Sequence, residues 1–242
     1  MTTPFTLDTR AATGFSNAAA YDLNRPSYPP EAVDKLLTHL GVAGAQNAKI
    51  VDLACGTGKF TELLAARLEQ FDIIGVEPHA GMREVLVKKG LGDKVRVEDG
   101  DAGNMPIEED WGDAVIAAQK MKDIIATLGD GHARFRDMKW KEVFEQQQDT
   151  TPLQALKDTF THNFPYFSLP LGEESVKWIV WLSGENIWAR FSTLSQIANL
   201  TEERRECFHQ EVLAALKEHG ERNEKGEVAL HGITFLAWTS RI

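Results

Sequence analysis

Short apolar segments alternate with helical patterns between residues 49 and 119, and this alternation limits the folds open to the chain more than any other feature. The apolar run 49–55 ends at a glycine-containing turn, and a helical pattern follows it. A second run, 71–77, is again followed by helical spacing, and the runs 95–97 and 113–118 continue the series. Strands that alternate with helices are typical of parallel βαβ units. The sequence therefore predicts an α/β fold with a doubly wound, mostly parallel sheet.

The 242 residues suit one α/β domain, so we predict a single domain over 1–242. Near its end, a helix is predicted from Thr201 to Gly220 with Phe208, Val212 and Leu216 inward, and a strand over 233–242. The predicted parts are an N-terminal arm (1–29), a ligand-binding core (30–119), a helical and aromatic cap that includes the acceptor region (120–190), and the C-terminal helix and strand (191–242).

Charge and cysteine content exclude several classes of function. The net charge is −10 and the basic residues are scattered, so a nucleic-acid partner is not expected. Cys55 and Cys207 lie far apart without metal-ligand spacing, which predicts no metal site and indicates a reducing compartment. The sequence has neither a targeting leader nor an apolar run of membrane-spanning length. We therefore expect a cytoplasmic protein without a membrane partner.

The turn at 56–58, Gly-Thr-Gly, follows a predicted strand and precedes a predicted helix. Glycines at such a turn let backbone amides approach a ligand closely. A phosphate-binding loop would need a glycine at position 53 and a serine or threonine at position 60. The chain has Leu53 and Phe60 there, so this class of ligand is excluded. A dinucleotide-binding fingerprint would have a third glycine at position 61, where this chain has Thr61. Because some dinucleotide-binding proteins tolerate such a departure, an NAD-dependent oxidoreductase stays open as an alternative.

Three acidic residues lie at the ends of successive predicted strands and favour a third ligand class, S-adenosyl-L-methionine. We expect Asp52 to receive the ammonium group of this ligand, directly or through water, because an unpaired buried carboxylate is unfavourable. Glu77 would accept both ribose hydroxyls, and Asp101 would take the adenine amine with help from the Ala102 amide. A side chain at Gly58 is expected to block the ligand while leaving the fold largely intact.

Four segments resemble, in order and spacing, the motifs of type 11 class I S-adenosylmethionine-dependent methyltransferases. They are VDLACGTGKFTELL at 51–64, IIGVEPHAGM at 73–82, GDAGNMP at 100–106 and DAVIAAQ at 113–119. The pattern YxxxRPxYP at 21–29 is similar to the pre-motif of the same family. This resemblance implies a Rossmann-like fold, S-adenosyl-L-methionine as cofactor and methyl transfer to an O, S or N atom of a small molecule. It also implies that Tyr21 and Arg25 lie over the carboxylate of the ligand. The implied cofactor contacts are Tyr21, Arg25, Asp52, Ala54, Gly56, Gly58, Glu77, Pro78, Met82, Asp101, Ala102 and Gln119.

The acceptor side departs from this family after Gln119. Lys120 follows where similar proteins continue with a helix and a fifth strand, so a unit of about 30 residues or more is missing from the expected pattern. His132 and His162 are the candidate general bases in the cap. The departure leaves a second hypothesis, a regulatory or catalytically impaired protein that still binds S-adenosyl-L-methionine.

The missing unit would expose one edge of the predicted fourth strand, 113–118. Exposed strand edges tend to pair with other strands. We therefore predict either that 233–241 pairs beside 113–118, or that the open edge promotes self-association into a homo-oligomer.

Overall fold

The computed structural model describes residues 18–25, 27–118, 141 and 167–241. The chain divides into two compact units. The first comprises Met1–Ala118 with Val176–Thr234, and the second comprises Gln119–Ser175 with Phe235–Ile242.

The centre of the first unit is a four-stranded parallel sheet with the strand order β3-β2-β1-β4. Its strands are β1 (Lys49–Leu53), β2 (Asp72–Val76), β3 (Val95–Glu98) and β4 (Ala114–Ile116). Each lies within or next to a predicted apolar run. The strand order and the parallel pairing confirm the predicted doubly wound α/β sheet.

Helices connect these strands as the apolar spacing predicts. α2 (Pro30–His39) has proline at its first position and buries Val33 and Leu37. α3 (Thr61–Ala65) follows the glycine turn, and α4 (Ala80–Lys88) follows β2. α1 (Ala18–Asn24) precedes them within the predicted arm.

The sheet buries apolar side chains on both of its faces, as strands between two layers of helices do. The larger cluster joins Leu37 of α2 and Leu64 of α3 to Ile50 and Ile73 of the sheet, all at most 1% exposed. The smaller cluster contains Val51, Ile74 and Val76. These side chains fix the strands whose carboxyl ends carry the predicted site.

The C-terminal part contains α5 (Gly184–Ser192), α6 (Ser195–Ala198), α7 (Glu202–His219), and a two-stranded sheet of β5 (Gly172–Leu182) and β6 (Val228–Trp238). The Thr201 hydroxyl accepts the Arg204 amide and caps α7. The apolar residues predicted inward on α7 are half-buried, and the helix has no fully buried residue. Among the described residues, no helix is both long and apolar enough to cross a membrane.

The predicted pairing of 233–241 beside 113–118 is wrong, because β6 pairs with β5. In this pairing Trp178 Nε1 donates to Thr234 Oγ1 at 3.1 Å, and the Trp178 ring fills the space beside Gly232. β4 is an end strand of the four-stranded sheet within the described ranges, and Val115 on it is 53% exposed. Self-association at this edge stays a prediction.

The second unit is described at two short segments and one isolated residue. Ser168 N donates to Ser240 O at 2.8 Å, and Thr239 Oγ1 donates to Ser168 O at 2.6 Å. Lys141 Nζ lies 2.6 Å from Glu173 Oε2. These contacts join the segment before β5 to the end of the chain, and Lys141 to the beginning of β5.

Candidate functional site

The loop after β1 forms a tight turn at the carboxyl edge of the parallel sheet. Ala54, Gly56 and Gly58 all have positive φ angles, of 56°, 58° and 82°. The Cys55 amide donates to Val76 O at 3.2 Å, which ties the loop to the end of β2. Ala54 is exposed and Gly56 is half-buried, so this turn presents backbone at the place predicted for the ligand.

Asp52 lies in β1 directly below this turn and is 1% exposed. Its Oδ2 accepts the Thr61 hydroxyl at 2.6 Å. Burial, opposed by the Thr61 hydrogen bonds and reinforced by the nearby charge of Glu77, raises the pKa of the Asp52 carboxyl to about 7. The described residues give this carboxyl no basic partner, so a cationic group of a ligand would relieve its desolvation.

Glu77 directly follows β2 and is 6% exposed. Its Oε2 accepts the Gly56 amide at 3.0 Å, and its Oε1 accepts the His79 amide at 2.9 Å. The structure therefore places Glu77 beside the glycine turn, as the sequence predicts. The carboxylate also holds the turn and the beginning of α4, which the sequence does not predict.

Gly58 has a packing role that the sequence does not predict. It is buried, and a Cβ at this position would overlap the side chain of Leu86 on α4. A side chain here would therefore disturb the packing of the turn on α4, and the expectation that the fold tolerates it is wrong. Gly56 is the more open of the two glycines, since a Cβ there would lie 3.6 Å from Met82 Sδ.

The beginning of α4 completes this side of the site. His79 is the N-cap residue, and its Nδ1 accepts the Met82 amide at 3.3 Å. Met82 is 4% exposed and Pro78 is half-buried. The position of Met82 beside the turn fits both adenine contact and core packing.

Asp101 follows β3 at the same edge of the sheet. Its Oδ1 accepts the Gly103 amide at 2.7 Å, and its backbone pairs with Asn104. Asp101 is half-buried and Ala102 is exposed, so this turn is accessible to a ligand.

Tyr21 and Arg25, which the resemblance places over the ligand carboxylate, stack on each other. The Arg25 guanidinium carbon lies 4.5 Å from the centre of the Tyr21 ring. Arg25 is 9% exposed, and its Nη2 donates to Thr193 O at a long 3.4 Å. Its buried Nε has no hydrogen-bond partner among the described residues, and burial lowers the pKa of this guanidinium.

Several residues that the sequence interpretation missed join the arm to the sheet edge. Thr57 is 1% exposed and donates its hydroxyl to Asp22 Oδ1 at 2.7 Å. Tyr28 OH donates to Ala118 O at 3.0 Å, beyond the end of β4. Burial, together with the charge of Asp52, raises the pKa of the Tyr28 phenol. Asp22 and Tyr28 belong to the recognised segment 21–29, but the segment does not name their distant partners.

Gln119, His132 and His162 lie outside the described residues, so their predicted roles stay predictions. Within the described ranges no group of three or more histidine, cysteine or acidic side chains has metal-binding geometry. Cys55 and Cys207 are free cysteines.

Residues 50–135 match the model of a family described as a methyltransferase domain. Uncharacterised methyltransferases of Mycobacterium tuberculosis and Mycobacterium bovis are 38% identical to the chain over 104 residues, which are 43% of this chain and 39% of each relative. The chain thus matches well under half of the length of these relatives.

Two solved structures with structural similarity have lower sequence identity. A proposed type II methyltransferase from Anaeromyxobacter dehalogenans has a TM-score of 0.45 and 16% identity, covering 90% of this chain and 96% of its own. The second structure is phosphoethanolamine N-methyltransferase 2 of Haemonchus contortus in complex with phosphomonomethylethanolamine and S-adenosylhomocysteine. It has a TM-score of 0.46 and 13% sequence identity, and the alignment covers 97% of this chain and 60% of that chain. Because both scores are below 0.5, the fold assignment rests on the sheet order of this chain.

Proposed function

We propose that the protein binds S-adenosyl-L-methionine and methylates a small molecule, and the match of residues 50–135 to a methyltransferase-domain family supports this proposal. The observation that carries this proposal is a pair of buried groups of opposite charge that each lack a counter-ion among the described residues. These are the carboxyl of Asp52 and the guanidinium of Arg25.

The amino-acid head of the cofactor fits this pair. Its ammonium group would neutralise Asp52, and its carboxylate would accept from the unpaired nitrogen of Arg25. Burial raises the pKa of the Tyr28 phenol, and the charges of Asp52 and Arg25 act on this pKa in opposite directions, so both groups lie near Tyr28. A zwitterionic head relieves both desolvated charges at once, whereas a pyrophosphate would approach Asp52 with charge of the same sign.

Glu77 and Asp101 would hold the rest of the cofactor. The Glu77 oxygens each accept one backbone amide, and each carboxylate oxygen has a further lone pair for a ribose hydroxyl. Asp101 and the exposed Ala102 would contact the adenine, with Met82 against its face. Bound S-adenosyl-L-methionine supplies the methyl group on its sulfonium, and the residues of the chain orient it.

Methyl transfer from a sulfonium is an in-line displacement that depends mainly on positioning. A base is needed only to deprotonate the acceptor, and we propose His132 or His162 for that role. We also propose a cytoplasmic location, which the two free cysteines support. The net charge of −10 supports a small-molecule acceptor, neutral or charged, over nucleic acid. The acceptor atom is O, S or N.

Calorimetric titration with S-adenosylhomocysteine, S-adenosylmethionine and NAD tests the cofactor assignment. We expect micromolar affinity for the first two ligands. Glu77→Gln is expected to weaken binding by about 1 to 3 kcal/mol, because it removes the charge from hydrogen bonds to the ribose. Glu84→Gln, on the exposed side of α4, is the matched control and should bind normally. Equal or tighter binding of NAD would refute the assignment in favour of an oxidoreductase.

Transfer of a radiolabelled methyl group to a panel of small acceptors tests the catalytic step. Binding of S-adenosylmethionine without transfer to any acceptor would favour the regulatory or impaired protein. That alternative is supported by the departure from the family pattern after Gln119.

A further inference from the structure

Asp22 of α1 collects hydrogen bonds and ion pairs from two other parts of the first unit. Its Oδ1 accepts the Thr57 hydroxyl at 2.7 Å and Lys89 Nζ at 2.8 Å, and Lys59 Nζ lies 3.6 Å away. Thr57 and Lys59 belong to the glycine turn and its continuation, whereas Lys89 caps the end of α4. One carboxylate therefore joins the arm to the turn and to α4.

This cluster differs from an ordinary surface ion pair. The side chains of Lys89 and Asp22 are 12% and 22% exposed, and Lys89 also contacts Glu62 Oε1 at 3.1 Å. Burial alone would raise the pKa of Asp22, but the hydrogen bonds from Lys89 and Thr57 outweigh it and hold this pKa below its ordinary value. Partly buried, charge-assisted hydrogen bonds are stronger than exposed pairs.

The decisive contact is the one from Thr57. This residue lies between the two glycines of the turn and is 1% exposed, so its hydroxyl needs an acceptor inside the protein. Asp22 supplies that acceptor from a helix that is remote in sequence. This hydrogen bond directly links the conformation of the turn to the position of α1.

We propose that Asp22 is a positioning residue that holds α1 against the glycine turn and so places Tyr21 and Arg25 over the bound cofactor. Asp22 directly follows Tyr21, and the Arg25 amide donates to Tyr21 O at 3.0 Å, so the three residues share one helical turn. Anchoring Asp22 fixes the orientation of the stacked Tyr21–Arg25 pair. This inference rests on the proposed function for the identity of the ligand.

Linkage makes the effect reciprocal. If closure of α1 on the turn favours the cofactor, the bound cofactor must favour closure of α1 by the same factor. Loss of the Asp22 contacts should therefore speed cofactor release and increase the opening of α1 in the ligand-free protein.

Hydrogen exchange measured by mass spectrometry tests the contact without any ligand. In Asp22→Asn and in Thr57→Val, the amides of α1 are expected to exchange about tenfold faster than in the wild type. Thr57→Ser retains the hydroxyl and should exchange as the wild type does. Asp34→Asn is the matched control, because it removes an aspartate that pairs with Arg67 on an exposed surface. Unchanged exchange in both Asp22→Asn and Thr57→Val would overturn the proposal.

Stopped-flow release of S-adenosylhomocysteine tests the consequence for the site. We expect release about tenfold faster in Asp22→Asn, which loses the charge that Thr57 and Lys89 contact, and in Thr57→Val, which loses the hydroxyl. Because both substitutions weaken the contact between Thr57 and Asp22, the double variant should show less than the sum of the two effects. Normal release in folded variants would contradict the positioning role. If circular dichroism shows that Asp22→Asn is unfolded, the release rate of Thr57→Val tests the positioning role alone. If S-adenosylhomocysteine fails to bind the wild type, the proposed function fails, while exchange in the ligand-free variants still decides whether Asp22 holds α1.

Discussion

The raised pKa of Asp52 predicts an unusual dependence of stability on pH. Below pH 3.8 the carboxyl is neutral in both the folded and the unfolded chain. Between pH 3.8 and about 7 it is ionised in the unfolded chain but keeps its proton in the folded one, so stability falls as the pH rises. Above about pH 7 it is ionised in both states and its contribution stays constant. At about 1.4 kcal/mol per pH unit, the whole window corresponds to about 4 kcal/mol of unfolding free energy.

Asp52→Asn isolates this contribution, because asparagine can still accept the Thr61 hydroxyl but carries no charge. We expect the variant to be more stable than the wild type at pH 8. The difference should grow by about 2 to 3 kcal/mol between pH 5 and pH 7 and then level off. Urea denaturation followed by circular dichroism at four pH values measures it, with Asp93→Asn, on the exposed surface, as the matched control. A difference that does not change with pH would refute the reasoning.

The ligand should reverse the effect of this substitution. An ammonium group beside Asp52 stabilises its charged form, so binding at pH 6.5 should release a proton from the wild type. Calorimetry in buffers with different ionisation enthalpies measures this release. We expect Asp52→Asn to bind S-adenosylhomocysteine more weakly and to lack the Asp52 part of the proton release. Equal proton release by both proteins would show that the ammonium lies elsewhere.

Three further substitutions test other parts of the structure. Gly58→Ala should lower the stability by about 2 kcal/mol or more, because its Cβ would overlap Leu86 and its φ is positive, and an unchanged thermal midpoint would contradict this. Arg25→Met should leave the ligand-free protein at least as stable, because it removes a buried unpaired nitrogen, while binding of S-adenosylhomocysteine weakens about tenfold or more; differential scanning fluorimetry with and without ligand measures both effects. Val115→Lys should reduce any self-association through β4, and light scattering that shows the same oligomer in both proteins would exclude this edge as the interface.

The sheet and the position of the site were predictable because they depend on local patterns. A buried parallel strand needs an uninterrupted apolar run, and such runs locate β1 and β2 to within two residues. The turn after β1 was predictable because positive φ angles favour glycine, and Gly56 and Gly58 both adopt them. Ala54 also has a positive φ, which its residue type does not announce.

The contacts that close the site were not predictable from local patterns. Asp22 and Lys89 are 67 residues apart, and Arg25 and the Thr193 carbonyl are 168 apart. Periodicity describes which face of an element is buried, but it does not name the partner across such distances. The same limit explains why the predicted pairing of the last strand was wrong. The alternating pattern of that strand is compatible with pairing at any free sheet edge. The pairing of β6 with β5 depends on tertiary contacts such as the hydrogen bond from Trp178 to Thr234.

The site is held in an electrostatically unfavourable state when no ligand is present. Asp52 and Arg25 are both desolvated, and neither has a counter-ion within the described residues. Either residue alone would be unfavourable in a protein interior, and an apolar substitute would stabilise the fold. Both charges act on Tyr28, and the presence of the two residues near it is explained if a ligand with a positive and a negative group completes both. Glu77 differs from this pair, because its two backbone contacts already compensate its burial. We therefore expect substitutions of Asp52 and Arg25 to trade ligand affinity for stability, whereas substitution of Glu77 should lose both.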